Sequence, residues 1–378
     1  MPQHLKEQLV DYDPDTGRVL HSPRHVFVEL SSRCNLACVH CPKDFGTESD
    51  HPTLDMSHEV LRAATPWLQL ARFVNLNMVG ESLLCQHFDE ALTICSQGRA
   101  EVSFNTNGLL LSSKRCEHIV ASGVHSVTIS IDGIESNNPI RGCDYETVRS
   151  RVMQLHDAKK RMKSATPHIA VAFTLMRRNA AELPRIVADL TEAVDLHAIH
   201  VQPLIIFYDS LRDENPYKDS ICADSAAVAR RIAEKASCNF VLYRSTMAED
   251  ERHNQGQPGQ FGQSSARYGC IDPFYEIKIR STGDVMGCSY GLMPNLRVQD
   301  LSMEELWNHE WYRSLRQRLA RKSFVDKCAR CPFVHGSAAN QEDAVRPGVK
   351  HSMESRFFAG GYNSRRATED PDVEGNKG

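Results

Sequence analysis

No stretch of this chain is long and apolar enough to span a bilayer. Its most apolar run, Leu204-Ile205-Ile206-Phe207-Tyr208, falls far short of the roughly 20 residues a spanning helix needs. The opening residues, Met1-Pro2-Gln3-His4-Leu5-Lys6, lack the apolar core of a secretory signal. These two absences predict a soluble, cytoplasmic protein. A basic excess is missing too. With 44 Lys plus Arg against 48 Asp plus Glu, the formal net charge is −4, so no broad positive field gathers nucleic acid or anionic membrane. Aromatics are 7% of residues and do not interleave with basic ones, which argues against a nucleic-acid-binding module. No internal repeat is present.

What the chain does have is cysteine. There are 13 in 378 residues, and in a reducing compartment metal ligation or catalysis explains them better than disulfides. Seven fall into patterned groups. The other six, Cys85, Cys95, Cys116, Cys143, Cys222 and Cys238, read as small core hydrophobes. At 41% hydrophobic residues the chain can bury one large domain and a small one.

From residue 25 to about 203, strand-like and helix-like segments alternate. Strand patterns fall at His25–Leu30, Phe73–Met78, Glu101–Phe104, Val124–Ile131, His168–Leu175 and Ala198–Val201; helical spacing marks Met56–Leu70, Phe88–Cys95, Ser112–Ala121, Tyr145–Met162 and Ala180–Val194. This alternation predicts an α/β fold with a parallel sheet covered by helices. Six units are too few for a closed eight-unit barrel, so the expectation is a partial (β/α)6 barrel of TIM type with functional groups at the strand C-terminal ends. The domain reading is an N-terminal extension (1–24), the partial barrel (25–204), a connecting segment (205–268), a small cysteine-bearing domain (269–334) and a polar tail (335–378). In the connecting segment, Ser225–Lys235 reads as a helix and Phe240–Tyr243 as a short strand.

The loop after the first strand reads Ser31-Ser32-Arg33-Cys34-Asn35-Leu36-Ala37-Cys38-Val39-His40-Cys41-Pro42. A loop can wrap three thiolates around one cluster, which a regular helix or strand cannot. On a four-iron cubane three thiolates leave one iron open, whereas zinc wants a fourth ligand. His40, pinned between two cysteines, has little freedom to supply it.

This CxxxCxxC segment resembles the signature of the radical S-adenosylmethionine (SAM) superfamily. The resemblance implies that Cys34, Cys38 and Cys41 hold a [4Fe–4S] cluster whose open iron binds SAM. The reduced cluster of such enzymes cleaves SAM to a 5′-deoxyadenosyl radical, which abstracts a substrate hydrogen. His40 occupies the position that often helps hold the adenine. Val79-Gly80-Glu81-Ser82 is similar to the family's GGEP turn, whose backbone carbonyls bind the SAM amino group. Val79 and Ser82 depart from that pattern, and an ordinary strand-end turn is the competing reading. Asn105-Thr106-Asn107-Gly108 matches the TNG turn, read chiefly as a turn. Ser130-Ile131-Asp132-Gly133, followed by Ile140-Arg141-Gly142, resembles a further family run. By that resemblance Ser130 or a neighbour meets the SAM ribose or carboxylate, and Asp132 with Arg141 is either a site pair or a structural ion pair. Arg177, at the end of the fifth strand, suits the SAM carboxylate, against the plain reading of a solvated charge. Gln202 ends the sixth strand, beside the adenine. The resemblance covers residues 25 to 204.

Cys270, Cys288, Cys328 and Cys331 make the second group. Phe274–Met286, with Gly283, reads as a β-hairpin that brings flanking cysteines together; Asn308–Arg321 looks helical. The spacing C-x17-C, gap, C-x2-C resembles the auxiliary-cluster region called SPASM or twitch. Pro332–Gly378 contains no cysteine, which implies the shorter twitch form with one auxiliary [4Fe–4S] cluster; zinc is the alternative.

The chain resembles twitch-type radical SAM dehydrogenases of aminocyclitol biosynthesis. This resemblance implies an oxidoreductase of a small polar substrate (sugar, aminocyclitol or nucleoside-like) with an auxiliary cluster as electron acceptor and a flavodoxin or ferredoxin as donor. His200 and Arg141 are the strand-end candidates for a base. The alternatives are a maturase that crosslinks or epimerises a ribosomal peptide, a radical diol dehydratase or decarboxylase, a cyclase similar to the molybdopterin enzyme, and a non-catalytic zinc- or cluster-stabilised binding module. Residues 1–24 are too short for a peptide-recognition domain, which favours the small substrate.

Overall fold

The computed structural model describes residues 10–41, 53–206, 208–218, 220–243, 270–288, 294–325 and 328. Its elements run β1 (His25–Val28), α1 (His58–Leu70), β2 (Phe73–Asn75), α2 (Phe88–Ser96), β3 (Glu101–Thr106), α3 (Ser113–Ala121), β4 (Ser126–Ser130), α4 (Asn137–Arg141), α5 (Tyr145–Arg161), β5 (His168–Leu175), α6 (Leu183–Ala193), β6 (Ala198–Pro203), α7 (Ile221–Lys235) and β7 (Asn239–Leu242). The C-terminal part adds α8 (Asp272–Tyr275), β8 (Glu276–Ile279), β9 (Val285–Met286), α9 (Met303–Trp307) and α10 (Glu310–Ala320).

Among the described residues one sheet holds nine strands, in the order β7-β6-β5-β4-β3-β2-β1-β8-β9. Strands β1 to β7 pair in parallel, as the βα alternation requires. The sheet is wider than six strands at both ends. β7 continues the parallel run beside β6, with Ala198 opposite Asn239. β8 pairs in parallel with β1, His25 opposite Glu276 and Val28 opposite Ile279. The expected hairpin is β8–β9, antiparallel, with Gly283 turning at φ +89°. The small C-terminal domain is thus joined to the barrel by a strand ladder.

Alternation along the strands sorts the two faces. Val26, Val28, Val127, Ile129, Ile169, Val171, Phe173, Leu175, Ile199 and Val201 are buried in the main core. The helices supply its other side: α1 buries Val60, Leu61, Ala64, Trp67 and Leu68, and begins at Ser57, whose side chain accepts the Val60 N–H. The intervening strand residues are small or polar and half-buried: Thr128, Ser130, Thr174, His200 and Gln202. These leave the inner face of the open barrel polar.

The helix expected at Asn308–Arg321 begins at Glu310. The separate α9 precedes it, opened by a Ser302/Glu305 capping box, which satisfies orphan N–H groups and starts a helix of its own. Residues 10–24 are an arm docked on this part. Val19 N–H donates to Asn308 Oδ1 at 3.0 Å and Asn308 returns a bond to Val19 O at 3.1 Å. Trp307 Nε1 donates to His21 O at 3.0 Å, and Tyr12 meets Phe274 edge-on at 5.0 Å. Among the described residues no helix is long and apolar enough to cross a membrane.

Candidate active site

The parallel strands aim their C-terminal ends at one mouth, and the cysteine loop lies over it. Its base is pinned at Asp55, whose carboxylate accepts Ser31 Oγ at 2.7 Å and Arg33 Nε and Nη2 at 3.0 and 2.8 Å. Farther along, Val39 N–H donates to Ile140 O at 2.9 Å, and the Tyr208 hydroxyl donates to Cys41 O at 2.7 Å. Cys34, Cys38 and Cys41 are half-buried and in no disulfide. Burial pushes the Cys38 thiol up to about 11, with negative charge on Cys41, Asp132 and Cys34 adding to the effect and Arg141 opposing it.

Gly80 sits directly under this loop. It turns at φ +77°, and a Cβ there would collide with Ser31 O and lie 2.6 Å from Arg33 O. Only glycine allows both that backbone shape and that approach. The next residue, Glu81, donates its N–H to Arg33 O at 2.7 Å. Its side chain is buried and accepts Thr106 Oγ1 at 2.9 Å and Asn107 N–H at 2.8 Å. Burial raises its pKa while these bonds and that from Leu83 N–H oppose the rise. The GE turn and the TNG turn are thereby one unit, and Asn107 Nδ2 continues it to Asn35 Oδ1 at 2.8 Å and Cys34 Sγ at 3.9 Å.

Asp132 and Arg141 form a buried ion pair, Nη1 to Oδ2 at 2.6 Å. The other Asp132 oxygen accepts Thr174 N–H at 2.6 Å. His40 Nε2 lies 3.6 Å from the Asp132 carboxylate and 3.4 Å from Thr174 Oγ1. Burial lowers the His40 pKa, against the pull of Asp132. His40 Nδ1 and Arg141 Nε are buried without hydrogen-bond partners.

Ser130 ends β4 opposite Ala172, on the inner face. Gln202 faces the same way, with Nε2 3.2 Å from Pro203 O. Arg177 stands apart: it is exposed and its Nη1 donates to Asp213 O at 3.1 Å. His200 projects from β6 and its Nδ1 stands 3.0 Å from the Tyr243 hydroxyl. Burial lowers its pKa.

In the C-terminal part Cys270 is half-buried, and Cys288 and Cys328 are buried. Cys331 lies outside the described residues. Cys288 is near enough to the buried Lys278 and Tyr312 for its charge to bear on both. The six scattered cysteines are all buried.

Among the described residues, no three Cys, His, Asp or Glu side chains stand together at metal-coordinating spacing. The fit of an iron–sulfur cluster therefore rests on donor chemistry: three unbridged thiols on one loop, a soft donor set that suits iron–sulfur clusters. The two partnerless buried nitrogens beside that loop are further polar atoms facing it. Sequence reading missed Asp55 and Tyr208, which hold the two ends of the cysteine loop.

Comparison with known proteins agrees with this arrangement. Residues 28–171 match the model of the radical SAM superfamily, and residues 270–332 match SPASM, an iron–sulfur cluster-binding domain. The chain is 27% identical over 359 residues to the mycofactocin maturase MftC of Mycobacterium tuberculosis, covering 91% of this chain and 81% of the relative. It is 22% identical over 369 residues to the AdoMet-dependent heme synthase of Nitratidesulfovibrio vulgaris, covering 90% and 92%. Among solved structures, Streptococcus suis SuiB superposes with TM-score 0.61 at 15% identity, over 80% of this chain and 69% of SuiB. The anSMEcpe structure with bound AdoMet and the Cp18Cys peptide gives TM-score 0.55 at 16% identity, over 93% and 98%. The chain thus carries a radical SAM domain at residues 28–171 and a SPASM iron–sulfur cluster-binding domain at residues 270–332, and this pair of domains implies a [4Fe–4S] cluster, SAM and auxiliary iron–sulfur binding.

Proposed function

We propose that this protein is a radical SAM oxidoreductase that takes hydrogen from a neutral, polar, hydroxyl-bearing substrate held on the inner face of the barrel. When bound, the cluster and SAM supply a carbon-centred radical that removes a substrate hydrogen atom, and an auxiliary cluster supplies an electron acceptor. Cys34, Cys38 and Cys41 would hold the first group, with Gly80 and Glu81 presenting backbone to the SAM amino group and His40, Ser130 and Gln202 near the rest of SAM; Arg177, exposed and bonded to Asp213 O, is left out of that set. Cys270, Cys288, Cys328 and Cys331 would hold one auxiliary cluster, the twitch arrangement. A flavodoxin or ferredoxin would deliver electrons.

The observation that carries this reading is the company the cysteine loop keeps. It overlies a polar inner face, where Ser130, Thr174, His200 and Gln202 offer hydrogen bonds without net charge. His200 is the base we assign. Burial keeps its imidazole neutral near pH 7, able to accept a hydroxyl proton at Nε2 while Nδ1 faces the Tyr243 hydroxyl.

A second reading, peptide maturation, is favoured by the relatives themselves: MftC is a maturase, and SuiB has been captured with its precursor peptide SuiA.

The test is anaerobic reconstitution with iron and sulfide, an iron count, then dithionite and SAM with assay of 5′-deoxyadenosine. About eight irons per chain with deoxyadenosine formed supports two cubanes and radical initiation. Changing Cys34, Cys38 and Cys41 to Ala should leave about four irons and no cleavage. About four irons plus one zinc in the unmutated protein would sink the electron-accepting role of the second site. Deuterium transfer into deoxyadenosine from labelled cyclitols or labelled peptides separates the two substrate readings.

A further inference from the structure

Asn107 lies in the turn after β3 and is 5% exposed. Its backbone and its side chain are held separately. The N–H donates to Glu81 Oε2 at 2.8 Å, and the same carboxylate accepts Thr106 Oγ1 at 2.9 Å and Leu83 N–H at 3.3 Å. The side-chain oxygen accepts the Leu109 N–H at 3.0 Å. That bond decides which way round the amide stands, because only the oxygen can accept. The nitrogen therefore faces the cysteine loop. Its two hydrogens meet two acceptors there, Asn35 Oδ1 at 2.8 Å and Cys34 Sγ at 3.9 Å. Cys38 is placed differently: its sulfur faces the Arg141 carbonyl at 3.8 Å, which has no hydrogen to give. A hydrogen bond to a sulfur that carries cluster charge withdraws part of that charge. The reduced cluster is the more negative form and gains more, so such a donor raises the reduction potential.

We infer that Asn107 is a positioning residue for the cluster that Cys34, Cys38 and Cys41 would hold: its amide, locked by Leu109 and anchored through Glu81, donates to the Cys34 sulfur and sets how readily that cluster takes an electron. The inference rests on reading those three cysteines as the ligands of the SAM-binding cluster. Asn107 acts through the Cys34 sulfur, so its loss shifts the potential rather than the ability to hold iron. The TNG turn then does more than reverse the chain: it aims a donor.

The experiment is a redox titration of the reconstituted full-length protein followed by electron paramagnetic resonance, with iron counted in each sample. The signal that changes when SAM is added marks the cluster in question. Asn107→Ala removes the donor. The expected result is unchanged iron and a lower potential, by roughly threefold in the reduction equilibrium, the worth of a weak hydrogen bond, or about 28 mV for one electron. Asn107→Asp keeps the oxygen that Leu109 needs and puts an acceptor where the donor was. Its fall should be larger, about tenfold, or about 59 mV. Asn35→Ala is the control for mere packing. It removes the acceptor that competes for the same amide and leaves the sulfur contact in place, so its potential should equal the wild-type value or exceed it. Equal falls in Asn35→Ala and Asn107→Ala would make the network a brace for the loop and overturn the proposal. So would a wild-type potential in Asn107→Ala at full iron, or loss of iron from both Asn107 variants, which would make Asn107 a general fold residue. Cys34→Ala separates the underlying reading: if that variant keeps the SAM-sensitive signal, Cys34 is not a ligand, and the reading falls and takes the inference with it.

Discussion

The buried Asp132–Arg141 pair is the interaction whose removal this structure prices most clearly. The Asp132 side chain is 1% exposed and that of Arg141 10%, so solvent screens the pair very little. Asp132→Asn leaves Arg141 as a buried cation without its counter-charge. Arg141→Leu leaves a buried carboxylate facing only the Thr174 N–H and His40. Each single change should cost about 3–5 kcal/mol, the penalty for orphaning one member of a buried pair. Spread over the unfolding entropy of a chain this size, that is a fall in Tm of roughly 5 °C. The double variant removes both charges, so its cost should fall short of the summed singles by about 2–3 kcal/mol. Urea unfolding followed by circular dichroism, at low and high salt, measures all four corners of the cycle. Additive singles would refute the reasoning, as would single costs under about 1 kcal/mol, the worth of an exposed pair. A second consequence is local. Ile140 O accepts Val39 N–H and Arg141 O lies 3.8 Å from Cys38 Sγ, so the single variants should also retain less iron.

Three further outcomes follow from other places in the fold. Gly80→Ala forces a residue with a Cβ to φ +77° against Ser31 and Arg33 carbonyls; it should cost about 1–3 kcal/mol, read by thermal unfolding. At the opposite rim of the sheet, His168 lies between His125, which meets it edge-on at 5.0 Å, and His197, tilted against it at 4.3 Å. Burial and the charges of His197, His125 and Lys159 lower its pKa from 6.5, with Asp195 opposing. The unfolded chain then binds the proton more readily, so stability is full above the unfolded value and drains as pH falls through it toward the folded one; His168→Gln should flatten the fall in Tm between pH 7 and pH 5. Finally, burial pushes Cys95 up to about 12 and Cys116 and Cys238 up to about 11, so these thiols should resist iodoacetamide at pH 8 until the protein is unfolded. Mass spectrometry showing early labelling there would contradict their burial.

The local parts of this structure were readable because their causes are local. A helix such as α1 announces itself through apolar spacing from Val60 to Leu68, and the cysteine loop through spacing alone. Gly283 marked its hairpin. The C-terminal capping box was present in the sequence as Ser302 and Glu305, yet the helix reading began only at Asn308 and left α9 unread. The pairing of β8 with β1 had no such signature, since nothing in Glu276-Ile277-Lys278-Ile279 names a partner some 250 positions earlier. The same is true of the arm at residues 10–24, whose contacts with Trp307, Asn308 and Phe274 exist only after folding. Around the site, the family resemblance singled out Gly80, Glu81, Asp132 and Arg141, the last of which closes the short helix α4 and is not at a strand end. It could not tell that the Glu81 side chain would serve the TNG turn, or that Asp132 would bond Arg141 and Thr174 with His40 beside them. Those are questions of which polar group finds which partner when water is withdrawn, and burial decides them.

The ladder between β1 and β8 has a consequence for anyone who would dissect this protein. A boundary near residue 269 looks like a natural place to cut, since the SPASM match begins at residue 270. Yet cutting there would strip β1 of a neighbour along its whole length and lay bare a row of backbone N–H and C=O groups flanked by Val26 and Val28. An exposed apolar strand edge is a template for pairing with other chains. The shortened protein would therefore carry, in place of a missing module, a surface primed for aggregation. The C-terminal region serves the rest of the chain as an edge guard as well as a cofactor site, and solubility during expression is where its absence would first be felt.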